Sequence, residues 1–269
     1  MEIGGGGVQA IRCIGGVTAH PPRIRREAPN GPPAAPAWRG VRLPAMVAPA
    51  AFWFDRRAAG LALAERLAQE APPQGDALVL ALPRGGVVVA AEVARALRLP
   101  LATWSVRKLA LPTDPEIALG ALAPGGVVLW HAQMSWMFDQ NPVLRDQVLE
   151  REGRELERRR RLYGDPDPAA LQGKELIVVD DGIATGLTVR AALTSLGHAR
   201  PARIVLAVPV AAPQTLPALR SLCDALVVLS APRDLMAVGC HYRHFEPVED
   251  QQVLDCLRSA REALDHSRV

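Results

Sequence analysis

The sequence contains no long apolar run and few cysteines, and both absences exclude whole classes of protein. No apolar stretch approaches the roughly 18 to 20 uninterrupted residues of a membrane helix, so we expect a soluble protein with no membrane partner. The 4 cysteines lie far apart without a CxxC pair, which argues against a zinc site or a disulfide framework and fits a reducing cytoplasm. With 49% apolar residues among 269, the chain can bury the core of a globular domain.

The positive charge of the chain is confined to its first segment. Residues 1–45 contain 6 arginines and 2 glutamates, a charge of +4, whereas the whole chain has a net charge of +3. The other 224 residues therefore sum to −1, and the basic composition does not indicate a nucleic-acid partner.

The same first segment lacks helical or strand periodicity. Its 7 prolines and 8 glycines are typical of disorder, so we expect residues 1–45 to form a disordered tail. The alternative is that the start codon was assigned too early, because Met46 directly precedes the first patterned sequence. The arginine-rich composition also resembles a transit peptide, although the glycine and proline clusters would break its amphipathic helix. We assign this segment no function and predict one domain over residues 46–269.

Strand-like and helix-like patterns alternate through the rest of the chain. This alternation predicts an α/β fold with a parallel sheet that is covered by helices on both faces. The predicted helices are 54–67, 87–99, 143–163, 187–197 and 212–220, and the predicted strands are 76–82, 101–106, 175–180, 202–209 and 224–229, with a loop at 107–116 and a hairpin at 120–130.

Two adjacent carboxylates follow a strand that looks buried. Asp180 and Asp181 come directly after strand residues 176–179 and repel each other, so they need a partner that donates hydrogen bonds or carries positive charge. The hydroxyls of a sugar diol, with Mg²⁺ nearby, meet that need. Glycines and threonines then precede a helix whose N-terminus favours a phosphate. An ordinary capped turn would explain one aspartate and one threonine, but not the second acid or both glycines.

The segment Val178–Thr188 resembles the 5-phosphoribosyl-1-pyrophosphate (PRPP) signature of the type I phosphoribosyltransferases. The resemblance implies that Asp180 and Asp181 hold the ribose hydroxyls. It also implies that the following turn wraps the 5-phosphate, with contacts from Gly182, Ile183, Ala184, Thr185, Gly186, Leu187 and Thr188.

Two further segments are similar to parts of the same family. Leu82–Gly86 is similar to the pyrophosphate loop, in which Arg84, Gly85 and Gly86 would bind the diphosphate. Arg107 and Lys108 resemble the start of the mobile catalytic loop, and Lys108 would contact the pyrophosphate.

Residues 112–121 and 237–242 are similar to one branch of this family, which occurs in bacteria and archaea and whose members are known as predicted phosphoribosyltransferases. The resemblance implies the type I fold with a small hood from the flanking segments. It also implies transfer of the phosphoribosyl group to a nitrogen nucleophile, as in nucleotide salvage, with release of pyrophosphate. Asp180, Asp181 and Lys108 would be catalytic, and Mg²⁺ would bind mainly through PRPP. The alternative is a regulatory protein that senses PRPP or a nucleotide without catalysis.

The acceptor base is not identified by the sequence. Ala184 stands where 6-oxopurine enzymes of the family carry an aspartate, which disfavours hypoxanthine and guanine. Glu116 is a candidate general base, with a solvated acid as the alternative. The pair His241 and His244 has metal-ligand spacing but no third ligand, and we name no metal-binding residue. Proteins that this chain resembles commonly form dimers, so the resemblance also implies a homodimer as a candidate assembly.

Overall fold

The computed structural model describes residues 52–111, 114–131 and 141–266, with only the backbone described at 111 and 114–118. Residues 1–45, for which the sequence predicts a disordered tail or an early start, lie outside the described residues.

A parallel sheet of five strands forms the centre of the fold, in the order β2-β1-β6-β7-β8. Apolar and β-branched residues dominate these strands, and β6 is buried along its whole length, as expected for a parallel sheet covered on both faces. The strands are β1 (Ala77–Ala81), β2 (Leu101–Thr103), β6 (Glu175–Val179), β7 (Arg203–Val210) and β8 (Ala225–Ser230). The predicted parallel sheet is therefore confirmed.

Helices cover both faces of this sheet, and the alternation of side chains along each strand divides the core between them. Val79 and Ile177 pack with helices α1 (Arg56–Glu70), α2 (Gly85–Leu97) and α6 (Asp250–His266). Leu80 and Leu176 pack with helix α4 (Leu187–His198) and with Leu219 of helix α5 (Leu216–Arg220) on the opposite face. No helix in the described ranges is long and apolar enough to span a bilayer.

The prediction of a loop at 107–116 is wrong, because most of these residues belong to an antiparallel sheet. Strand β3 (Arg107–Leu111) pairs with β4 (Asp114–Ala123), and β4 pairs with β5 (Val127–Trp130) through the predicted turn at Pro124–Gly126. Helix α3 (Pro142–Tyr163) packs on this sheet through Val148 and Leu156.

The segment that precedes α1 is paired with a segment that lies after the last strand. Trp53 donates from its N–H to the carbonyl of His241 at 3.0 Å and accepts from the N–H of Arg243 at 2.9 Å. The N–H of His244 donates to the carbonyl of Phe54 at 3.0 Å. The indole of Trp53 packs on the ring of Tyr242, with 5.7 Å between ring centroids. The segment before α1 and the segment between β8 and α6 thus meet beside the sheet.

Candidate active site

The loops that follow β1 and β6 lie side by side because these two strands are adjacent and in register, with Ala81 opposite Val179. A Cβ atom at Gly86 would lie 2.9 Å from both Cα and Oδ1 of Asp180, and one at Gly85 would overlap Oδ2 of Asp181. Any side chain at either glycine would therefore push the two loops apart. The peptide bond between Pro83 and Arg84 is cis. The structure brings together the predicted pyrophosphate loop and the predicted ribose-binding acids.

Asp180 and Asp181 form an acid pair at this edge of the sheet. Oδ1 of Asp180 accepts from the N–H of Asp181 at 2.9 Å. Burial, reinforced by the charge of Asp181, raises the pKa of Asp180 well above its usual range. Burial also raises the pKa of Asp181, and the nearby charge of Arg56 opposes this increase. Oδ2 of Asp180 and Oδ1 of Asp181 accept no hydrogen bond from outside the pair among the described residues, and the two carboxyl groups lie within hydrogen-bond reach of each other. One oxygen of each acid is thus available to a ligand that takes the place of this mutual contact.

Arg56 is a residue of the site that the sequence did not reveal. Its Nε donates to Oδ2 of Asp181 at 2.8 Å, and its Nη1 donates to the carbonyl of Glu246 at 2.9 Å. The guanidinium lies 3.7 Å from the ring centroid of Phe245, and only 11% of the side chain is exposed. The one local signal was an arginine in the first turn of a helix, where the helix dipole disfavours a cation. Its partner Asp181 is 125 residues away, beyond any sequence pattern.

Tyr242 fixes the backbone of the same acid. Its hydroxyl donates to the carbonyl of Asp181 at 2.6 Å, while its ring stacks on Phe245 with 4.9 Å between centroids. Burial raises the pKa of the Tyr242 hydroxyl, which therefore stays a donor at neutral pH. In the sequence, Tyr242 stood out only as the last residue of the segment 237–242 that carries part of the family resemblance.

The loop after the acids leads into the N-terminus of α4. It is anchored where the N–H of Ile183 donates to the carbonyl of Val210 at 2.9 Å and the N–H of Ala212 donates to the carbonyl of Ile183 at 2.8 Å. Gly186, the N-cap of α4, has a φ of 75°, which favours glycine. The N–H groups of residues 184–189 donate to no acceptor within the described part of the chain. Unpaired N–H groups at a helix N-terminus favour an anion, and the predicted contact of this turn with the 5-phosphate stays a prediction.

Arg84 of the other loop contacts the start of α6. Its Nη1 lies 3.0 Å from Oε2 of Glu249 and 3.6 Å from Oδ1 of Asp250. Asp250 also accepts from the hydroxyl of Tyr163 at 2.6 Å and pairs with Arg158 at 2.9 Å. The hydrogen bond from Tyr163 is the main cause of a lowered pKa of Asp250. Arg84 therefore lies among carboxylates that an anion would have to displace.

The comparisons with known proteins agree with this geometry. The family model of the phosphoribosyl transferase domain matches residues 56–241. The chain belongs to this family. Two proteins of Mycobacterium tuberculosis, from strains CDC 1551 and H37Rv, are named provisionally as phosphoribosyl transferases and are each 38% identical over 208 residues, which cover 77% of this chain and 46% of theirs. The chain thus spans about half the length of these relatives.

A solved structure supports the fold of this phosphoribosyl transferase domain. The crystal structure of TT1426 from Thermus thermophilus is 39% identical, with a TM-score of 0.61, and the match covers 77% of this chain and 98% of that protein. The predicted α/β fold of the type I phosphoribosyltransferases, with helices on both faces of a parallel sheet, is confirmed.

Arg107 contacts helix α3 of the domain. Its Nε and Nη2 lie 2.9 and 2.7 Å from Oε2 of Glu152, whose side chain is buried. Lys108 is exposed on the same strand, and the alternation of side chains points it to the opposite face from Arg107. Arg107 thus forms an ion pair with α3, and the contacts of Arg107 and Lys108 with PRPP stay predictions.

The structure assigns no role in the acid pair to the other candidates of the sequence. Glu116 lies on β4, and its side chain is not among those described. His241 ends a 3-10 turn and His244 lies beyond it, so this pair does not have the α-helical spacing that its sequence suggested. In the ranges that the structure describes, no group of three or more His, Cys, Asp or Glu side chains could hold a metal ion.

Proposed function

We propose that this chain is an enzyme that binds PRPP with Mg²⁺ and transfers the phosphoribosyl group to a nucleobase-like nitrogen nucleophile, with release of pyrophosphate. One observation supports it most: two available carboxylate oxygens, one from Asp180 and one from Asp181, lie beside the unpaired N–H groups of residues 184–189. The oxygens match two hydroxyl donors of a ribose, and the N–H groups match a phosphate.

The adjoining glycine loop supplies a second anion site on the other side of the acids. The N–H groups of Gly85 and Gly86, at the N-terminus of α2, donate to no acceptor among the described residues. Together with Arg84 they would bind the pyrophosphate of PRPP, since an arginine fork matches phosphate oxygens. The 5-phosphate, the ribose and the pyrophosphate would thus lie in order along the edge of the sheet.

In the proposed reaction, the lone pair of the nitrogen forms a bond to C1 of the ribose while the bond from C1 to the pyrophosphate oxygen breaks. The electron pair of that bond leaves with the pyrophosphate, and the nitrogen loses its proton to a base that stays unassigned. The transition state has oxocarbenium character. Asp180 and Asp181 would hold the ring by its hydroxyls and favour the positive charge, while Arg84, Lys108 and the amides of Gly85 and Gly86 would stabilise the leaving group.

The residues of the site fit Mg²⁺ that arrives with PRPP. Mg²⁺ binds oxygen ligands and usually combines one or two carboxylates with substrate phosphates and waters. The available oxygens of Asp180 and Asp181 are of this type, and they suffice for water-mediated contact with the ion. When bound, Mg²⁺ would neutralise charge on the departing pyrophosphate.

Isothermal titration of PRPP with Mg²⁺ into the full chain tests the binding. We expect the parent to bind, and the double variant Asp180→Asn/Asp181→Asn to lose binding by about 100-fold or more, because amides lose the charge and half of the acceptors. Asp265→Asn, an identical change at an exposed position of α6, is the matched control and should bind as the parent does. Equal binding by parent and double variant would contradict the site.

A pyrophosphate-release assay over a panel of nucleobases and other nitrogen nucleophiles tests the transfer. Release that requires one acceptor would identify the reaction partner. PRPP binding without release for any acceptor would instead favour the alternative of a sensor of the same fold.

A further inference from the structure

The guanidinium of Arg56 is held on three sides in the ligand-free protein. Its contacts are the Asp181 carboxylate, the Glu246 carbonyl and the face of the Phe245 ring. With 11% of its side chain exposed, Arg56 has lost most of its hydration, and it also occupies the first turn of α1, where the dipole disfavours a cation. The carboxylate of Asp181, at 2.8 Å from Nε, supplies a negative charge that offsets these costs, so arginine and acid stabilise each other.

The same contacts fix the orientation of Asp181. Arg56 binds Oδ2, and the Tyr242 hydroxyl binds the backbone carbonyl of the same residue. The N–H of Asp181 in turn holds Oδ1 of Asp180. The chain of contacts therefore runs from Arg56 through Asp181 to Asp180, and it leaves one available oxygen on each acid.

We propose that Arg56 is a positioning residue of the acid pair: it holds Oδ2 of Asp181 so that each acid presents one oxygen to the two ribose hydroxyls. This inference rests on the proposed function, since it assigns the acids to a diol. Arg56 acts from behind the pair, because its guanidinium is covered by Phe245 and by the carbonyl of Glu246. It contributes to PRPP binding through Asp181 and makes no ligand contact of its own.

The chain offers a matched control for Arg56. Arg57 is the next residue of the same helix, is exposed, and forms no ion pair within the described part of the chain. Arg56→Met and Arg57→Met remove the same charge and keep a long side chain. Arg56→Lys keeps the charge but cannot bond Asp181 and Glu246 with the same planar fork.

The first measurement is the PRPP affinity of the full-length variants with Mg²⁺. We expect Arg56→Met to bind about tenfold more weakly or worse, because it leaves a buried carboxylate without its partner. Arg56→Lys should recover part of this loss, and Arg57→Met should stay within about twofold of the parent. Circular dichroism of each variant identifies any that does not fold. If Arg56→Met fails to fold, Arg56→Lys takes its place, with an expected loss of about threefold.

The second measurement needs no ligand. The carboxyl carbon of Asp181 is followed by NMR as a function of pH and assigned with Asp181→Asn. Loss of the cation favours the neutral acid, so its titration midpoint should be higher in Arg56→Met than in Arg57→Met. An unchanged midpoint together with unchanged PRPP affinity would overturn the inference. If even the parent fails to bind PRPP, the proposed function fails, and the titration alone decides whether Arg56 positions Asp181.

Discussion

Asp180 carries its carboxyl group at the end of a strand whose five residues are all buried. Water is largely excluded there, and a second carboxyl group follows directly, so ionisation of Asp180 opposes folding. The folded protein tolerates this because Arg56 compensates one of the two acids. This cost to folding stability is expected in a binding site, because the residues are arranged for the ligand and only the bound ligand offsets their charge.

We therefore predict that Asp180→Asn stabilises the ligand-free protein while it weakens PRPP binding. Asparagine keeps an oxygen for the N–H of Asp181 but cannot ionise. At pH 7 we expect the Tm to rise by about 2 °C or more in thermal unfolding monitored by circular dichroism.

The sign of the pH dependence follows from the raised pKa. A carboxyl group whose folded pKa lies above its unfolded value of about 3.9 stabilises the fold most below that value and loses this contribution as the pH rises through the folded pKa. The gap in Tm between Asp180→Asn and the parent should thus be small near pH 4 and widen toward neutrality. A lower Tm of the variant at pH 7 would show that the charge of Asp180 supports the fold.

At the scale of residues, the sequence predicted those parts of the site that lie in continuous segments. The acids, the glycine loop and the phosphate loop each occupy a few consecutive positions, so their chemistry could be recognised locally. Arg56, Tyr242 and Phe245 could not be recognised in this way. Arg56 and Tyr242 acquire their roles only where the fold brings them to Asp181, up to 125 residues along the chain, and Phe245 only where it packs on these two residues.

At the scale of elements, the parallel strands and the helices between them were predictable because each has a clear period and ends near glycine, proline or polar residues. Strand β3 was not predicted because Pro112 and Pro115 follow its last residue in the sequence, and proline is typical of loops. Pairing with β4 over Arg107–Leu111, despite a register shift near Ala110, overrode this preference. Helix α6 was not predicted, although its N-terminus meets the predicted pyrophosphate loop through Arg84.

The contact between α6 and the pyrophosphate loop leads to a prediction about anion binding. If Arg84 binds pyrophosphate as proposed, Glu249 competes for it, and Glu249→Gln should increase the affinity for pyrophosphate. The pair is largely exposed, and such pairs contribute about 0.2 to 1 kcal/mol, which corresponds to a gain of at most about fivefold. Titration calorimetry with pyrophosphate and Mg²⁺ measures it.

Glu262→Gln is the control for this change, because Glu262 is exposed on α6, the helix that follows Glu249, and forms no ion pair among the described residues. Its affinity for pyrophosphate should equal that of the parent. Weaker binding by Glu249→Gln would mean that Glu249 holds Arg84 in its binding position instead of competing for it.

At the scale of the whole molecule, the pairing of residues 53–54 with residues 241–244 joins the segment before α1 to the segment after β8. Trp53 is 9% exposed and packs on Tyr242, which holds the Asp181 carbonyl. We predict that Trp53→Ala lowers the free energy of unfolding by about 3 kcal/mol, as for other large core truncations. Chemical denaturation measures this loss, and weaker PRPP binding should accompany it.

Phe52→Ala serves as the comparison, since Phe52 is the preceding residue and 62% exposed. Its free energy of unfolding should change by less than about 0.5 kcal/mol. Similar losses in the two variants would place the stabilising contact outside the packing of Trp53 on Tyr242.

The bond from Arg56 to the carbonyl of Glu246 spans 190 residues, which has a consequence for the order of events during synthesis. Ribosomes add about 5 to 20 residues per second, so Arg56 is made about 10 to 40 s before this partner. Asp180 and Asp181 are also translated before Tyr242, Phe245 and Glu246. A nascent chain therefore carries both acids for some time without the contacts that orient them, and its site is completed only after residue 246 has left the exit tunnel.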